Sequence, residues 1–109
     1  MSQPSAASFE RRDVSGNRTL FVGGEIDLDN AHELRDQLRC AMRESHSPTV
    51  VDLSGVEFMD SSGINALIDA HRNAPEFGSN LVIVAPSTAC RRVFEMLRLG
   101  DVIDIRDTD

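Results

Sequence analysis

Thr49-Val50-Val51-Asp52-Leu53 and Leu81-Val82-Ile83-Val84 bracket a segment in which Ile64, Leu67, Ile68 and His71 recur at helical spacing. The first run is short and rich in β-branched residues. The second is an uninterrupted apolar run of the kind buried on both faces of a parallel sheet. Ser54 to Asp60 leads out of the first strand, Ser61 or Ser62 supplies the helix N-cap, and Pro75 closes the helix. Strand, helix and strand in that order predict a βαβ unit with a right-handed crossover.

Working outward, the same alternation continues on both sides. Toward the N-terminus, Ala31, Leu34, Leu38, Ala41 and Met42 form a second helical stripe, stopped by Pro48. Asn30 and Glu33 stand at capping-box spacing before it, Asn30 accepting from an exposed amide and Glu33 reaching back. Phe9 to Asp13 and Arg18 to Gly24 flank Val14-Ser15-Gly16-Asn17, which reads as a hairpin with Gly16 and Asn17 in positive-φ conformations. Toward the C-terminus, Ser87 or Thr88 starts a third helix, with Cys90, Val93, Phe94 and Leu97 inward and Gly100 as its stop. Val102 to Ile105 forms a last strand or a packed tail. The expected architecture is one α/β domain: a mixed four- to five-stranded sheet with an N-terminal hairpin, βαβ units and about three main helices. Residues 1–8 are polar and expected to fray, so the domain is placed at 9–109.

The chain has 109 residues, 40% of them hydrophobic and 27% charged, which suits one soluble domain with a modest core and excludes disorder throughout. Eleven cations, all arginine and scattered, face eighteen acids, for a formal charge of −7. That average field repels nucleic acid and anionic membranes, so neither is an expected partner. Apolar runs are too short to span a membrane, and residues 1–8 lack signal-peptide features. Cys40 and Cys90 have neither zinc-site nor redox-pair spacing, which fits a reducing cytoplasm. Cys40 lies off its helix's apolar stripe, whereas Cys90 lies on one. His71 continues a core stripe; His32 and His46, near the ends of the first helix, read as surface residues.

The chemistry is expected at Phe58-Met59-Asp60-Ser61-Ser62-Gly63, which joins a buried strand to a helix start. Open parallel sheets concentrate functional loops at that edge, and unpaired helix amides favour an oxygen or phosphate there. Gly63 has no side chain to keep another backbone or a nucleotide away. The plain alternative is a helix cap and nothing more. The acids in Gly23-Gly24-Glu25-Ile26-Asp27-Leu28-Asp29 lack the ordered oxygens of a magnesium or calcium motif, and a solvated loop explains them. Residues 59–63 do not form the Gly-x-Ser-x-Gly elbow of a serine hydrolase. No catalytic residue, metal site or cofactor is assigned.

Gly24-Glu25-Ile26-Asp27, Val51-Asp52-Leu53-Ser54, Phe58 to Gly63 and Arg92 to Gly100, in this order and spacing, resemble the anti-sigma factor antagonist family of small STAS-domain proteins. The resemblance covers about Phe9 to Ile105. It implies a non-catalytic phospho-switch in which Ser61 is phosphorylated by an anti-sigma factor that is itself a serine kinase. The unmodified form binds that kinase and frees a sigma factor, and a PP2C-type phosphatase restores the serine. Asp27 and Asp60 match acidic positions near the phosphosite, and Ser62 the adjacent hydroxyl. Gly63 and Ile64 follow as flanking or partner-binding positions, with Ile64 also read as core and Met59 as core or contact. The competing reading is a STAS adaptor in another complex, such as lipid transport or a stressosome. Pro75 departs from the longer charged helix end common in the family.

Overall fold

In the computed structural model, residues 6–45 and 48–107 are described. The elements are β1 (Ala7–Val14), β2 (Asn17–Ile26), α1 (Ala31–Glu44), β3 (Thr49–Met59), α2 (Ser61–Asn73), β4 (Leu81–Val84), α3 (Thr88–Met96) and β5 (Asp104–Arg106). Five strands form one sheet in the order β1-β2-β3-β4-β5. β1 and β2 are antiparallel, and every later neighbour is parallel. Because chain order equals spatial order, right-handed crossovers lay the helices on one face. The core lies between that face and the helices: Leu20 and Val22, Val51 and Leu53, Leu81 and Ile83 from the strands meet Leu34, Leu38, Leu67, Cys90 and Phe94.

The expected fold class is the one observed, and the differences are local. The hairpin turn is Ser15-Gly16, with φ of 52° and 86°, and Asn17 is already in β2. Ala7 and Ser8 are strand residues; the fraying expected of residues 1–5, like the placement of His46, falls outside the described residues. Helix α1 ends at Glu44, three residues short of the proline expected to stop it. β3 does not end at Leu53 but runs to Met59: only its first four residues pair with β4, while pairing with β2 continues to Ile26↔Met59. Helix α2 stops at Asn73 and passes into a single 3₁₀ turn, Ala74–Phe77, that carries Pro75.

Helix α3 also ends early. The left-handed residue is Arg98, at φ 53°, rather than Gly100, which sits in a 3₁₀ turn over Leu99–Asp101. Leu97 is consequently exposed instead of inward, and Leu99 and Ile103 fill the core there. The face of the sheet away from the helices carries a shallow cavity of about 160 Å³ over Val14, Val50, Val82 and Val84, edged by Asn17, Asn80 and Arg106.

Candidate functional site

Parallel pairing of β2 and β3 brings two chain reversals together at the C-terminal ends of these strands. Ile26 is opposite Met59, and the Asp60 amide donates to the Ile26 carbonyl at 3.1 Å. Asp27 and Asp60 thus leave the sheet from adjacent strands.

Asp60, not Ser61 or Ser62, is the N-cap of α2. Its backbone is extended (φ −95°, ψ −172°) and its carboxylate accepts from the Ser62 amide at 2.8 Å. Its carbonyl accepts from the amides of Gly63 and Ile64 at 3.1 and 3.2 Å, starting the helix ladder. With the cap filled by Asp60, Ser61 occupies the first helical position. Its side chain is exposed, and its hydroxyl has no hydrogen-bond partner among the described residues. Ser62, next along, is half-buried.

Gly63 corrects an expectation. It is buried, and its missing side chain makes room for the protein's own core: a Cβ there would lie 2.6 Å from Met59 Cγ and 2.8 Å from Ile26 Cγ2. The glycine lets the first turn of α2 sit directly on the ends of β2 and β3, which fixes where Ser61 emerges. Ile64 and Met59 are both core residues, so neither Gly63 nor Ile64 offers a side chain to a partner.

The other reversal is a tight turn clamped by Asn30. Asn30 is the residue before α1, but its side chain makes no cap bond. It turns back instead, accepting from the Asp27 amide at 2.9 Å and donating to the Glu25 carbonyl at 2.8 Å. The Asp27 carboxylate accepts from the Asp29 amide at 3.0 Å, and its carbonyl accepts from the amides of Asn30 and Ala31. Asn30 is thus the N-cap by position, as the spacing predicts, and its carbonyl accepts from the Glu33 and Leu34 amides, but its side chain serves the turn and the Ala31 amide goes to Asp27. Leu28 sits at the tip of this turn, 79% exposed, and Phe58 near the end of β3 is 49% exposed. Neither stood out in the sequence; Leu28 between two aspartates and off every apolar stripe was the available signal.

Segments 25–33 and 52–64 contain Glu25, Asp27, Asp29, Glu33, Asp52, Glu57 and Asp60 and no lysine or arginine. This edge is anionic, yet among the described residues no three acidic, histidine or cysteine side chains are grouped to hold a metal ion. His71 is half-buried and His32 exposed. Cys90 is buried, and burial pushes its thiol above the ordinary value of 9.0 despite opposing hydrogen bonds from Ser87; Cys40 is partly accessible. No helix among the described residues is long and apolar enough to cross a membrane.

This architecture, a mixed sheet with helices on one face and a serine-bearing helix start at the strand ends, is that of a STAS domain: the family model described as "Mlab, STAS domain" matches residues 10–105. The anti-sigma-B factor antagonist of Listeria monocytogenes is 30% identical over 90 residues, covering 83% of this chain and 79% of the relative. The anti-sigma-F factor antagonist RsfB of Mycobacterium tuberculosis is 30% identical over 111 residues, covering 99% and 88%. The crystal structure of an anti-sigma factor antagonist from Mycobacterium paratuberculosis superposes with a TM-score of 0.84 at 26% identity, covering 99% of this chain and 92% of that one. The chain belongs to the STAS-domain family of anti-sigma factor antagonists.

Proposed function

We propose that this chain is an anti-sigma factor antagonist switched by phosphorylation at Ser61. The unmodified form binds an anti-sigma factor with serine kinase activity and so releases a sigma factor; a PP2C-type phosphatase returns the serine. The setting is cytoplasmic. The observation that carries this reading is the exposed Ser61 hydroxyl, left unoccupied because Asp60 caps the helix.

The chemistry needs little from this chain. Ser61 Oγ attacks the γ-phosphorus of ATP, the bond to the β-phosphate oxygen breaks, ADP leaves, and the hydroxyl proton passes to a base of the kinase. The helix N-terminus stabilises the phosphate locally, so the fold survives. On the partner the group meets three unfavourable terms: its bulk, like charge from bound nucleotide phosphates, and desolvation. Adding about −1.5 to −2 charges at Ser61 itself strengthens the second. A loss of about 3–4 kcal/mol lowers affinity several-hundred-fold.

Phosphosite mapping after incubation with ATP, magnesium and a purified anti-sigma-factor kinase tests this. A single phosphate on Ser61 is expected in wild type and in Ser62→Ala, and none in Ser61→Ala, which still binds the kinase. Ser61→Asp folds and binds poorly. A label on Ser62, or wild-type affinity in Ser61→Asp, refutes the switch; absence of any phosphate moves the chain to a STAS adaptor of another complex.

A further inference from the structure

Leu28 and Phe58 are large apolar side chains that the fold leaves exposed, and Leu28 is held out by its own turn. Three hydrogen bonds close the Asp27–Asn30 turn: Asn30 amide to Asp27 carbonyl, Asp29 amide to Asp27 carboxylate, and Asp27 amide to Asn30 Oδ1. Asn30 itself is buried and also anchored to Glu25. Leu28 therefore projects from a preset backbone, so little backbone order remains to be lost when something covers it. Phe58 is paired in register with Glu25, two residues before the cap Asp60. The two apolar side chains thus belong to the same strand ends as Ser61, with Glu25, Asp27, Asp29, Glu57 and Asp60 among them in the chain. Two exposed apolar side chains on acidic stretches of chain at one sheet edge fit a surface that offers apolar contact edged by arginine or lysine.

We propose that Leu28 and Phe58 are the two apolar anchors by which this chain docks on its anti-sigma factor, and that the partner presents a basic-edged apolar socket to them. This rests on the phospho-switch reading above and adds what holds the partner once it arrives. Ser61 is then the modified group, and Leu28 and Phe58 are the affinity determinants.

The test uses the full chain and purified anti-sigma-factor kinases from its own genome, with binding measured without ATP and steady-state phosphorylation of Ser61 measured with it. Leu28→Ser and Phe58→Ser each weaken binding about 30-fold and raise KM for phosphorylation comparably, with kcat within about twofold. Leu28→Met, which keeps the apolar bulk, recovers most of the loss. Met96→Ser removes a side chain of similar exposure at the C-terminal end of α3, and leaves binding unchanged. Unchanged circular dichroism and Tm for Leu28→Ser establish that the fold is intact. If wild type is phosphorylated and the serine variants share its affinity and KM, the anchors are refuted and the switch stands. Loss of kcat at unchanged KM, or an equal loss in Met96→Ser, also refutes the anchors. If wild type neither binds any of these kinases nor is phosphorylated by them, both proposals fall.

Discussion

Replacing Asp60 separates its role as a cap from its role as a charge. In Asp60→Ala the Ser62 amide loses the acceptor now 2.8 Å away. The helix end also loses a negative charge beside its positive pole. Loss of a capping side chain costs about 1 kcal/mol, and the charge about 0.3–1 kcal/mol more where it is partly exposed. The sum, about 1.3–2 kcal/mol, corresponds to a fall in Tm of roughly 5–15 °C for a domain near 100 residues. Asp60→Asn retains an oxygen that can accept from Ser62 and should lose only the charge contribution. Urea unfolding of the three proteins at neutral pH, with m-values compared, checks this. Equal destabilisation of the Asn and Ala variants would show that the charge, not the cap, sets the helix start. Equal stability of Ala and wild type would remove Asp60 from the account altogether.

Gly63→Ala forces a methyl into space already filled by Met59 and Ile26, and should destabilise the domain by about 1–3 kcal/mol in denaturant unfolding. Its phosphorylation should suffer through displacement of Ser61, so a stable Gly63→Ala protein would refute the packing role. Thiol labelling of native protein should modify Cys40 first and Cys90 only on unfolding, because Cys90 is buried with its deprotonation opposed. Since the fold raises the Cys90 pKa, its contribution to stability is full below about pH 9.0, the unfolded value, and is lost as pH rises above it. Urea titrations across that range should show a fall that Cys90→Ala lacks.

The sheet and its helices were legible because apolar periodicity reports directly on burial: Leu81 to Val84 and the Leu34–Leu38–Met42 stripe could hardly be anything else. Long-range pairing decided what remained. Ser54, Gly55 and Glu57 do not read as strand, yet β3 runs through them, with Gly55 paired to Gly23 and the ladder irregular at Ser54 and Glu57, and that extension determines which of Asp60, Ser61 and Ser62 becomes the cap. Asn30 had the right position for a cap, but the turn before it supplied nearer partners for its side chain. Leu97 followed the expected stripe, but α3 stops before it can turn inward. At the site, Ser61 was visible as a motif, whereas the exposure of Leu28 depends on a turn closed by bonds that spacing alone does not reveal.

The meeting of Ile26 with Asp60 also bears on when the molecule becomes readable to others. The β1–β2 hairpin is local and closes within microseconds, but the β2–β3 register waits for the whole α1 crossover. Ser61 takes its place above that junction only afterwards. A nascent or damaged chain therefore displays a serine in the right sequence but in no defined place. For the switch proposed at Ser61, competence is in this way tied to completion of the fold, and an unfinished copy would offer a kinase no placed hydroxyl.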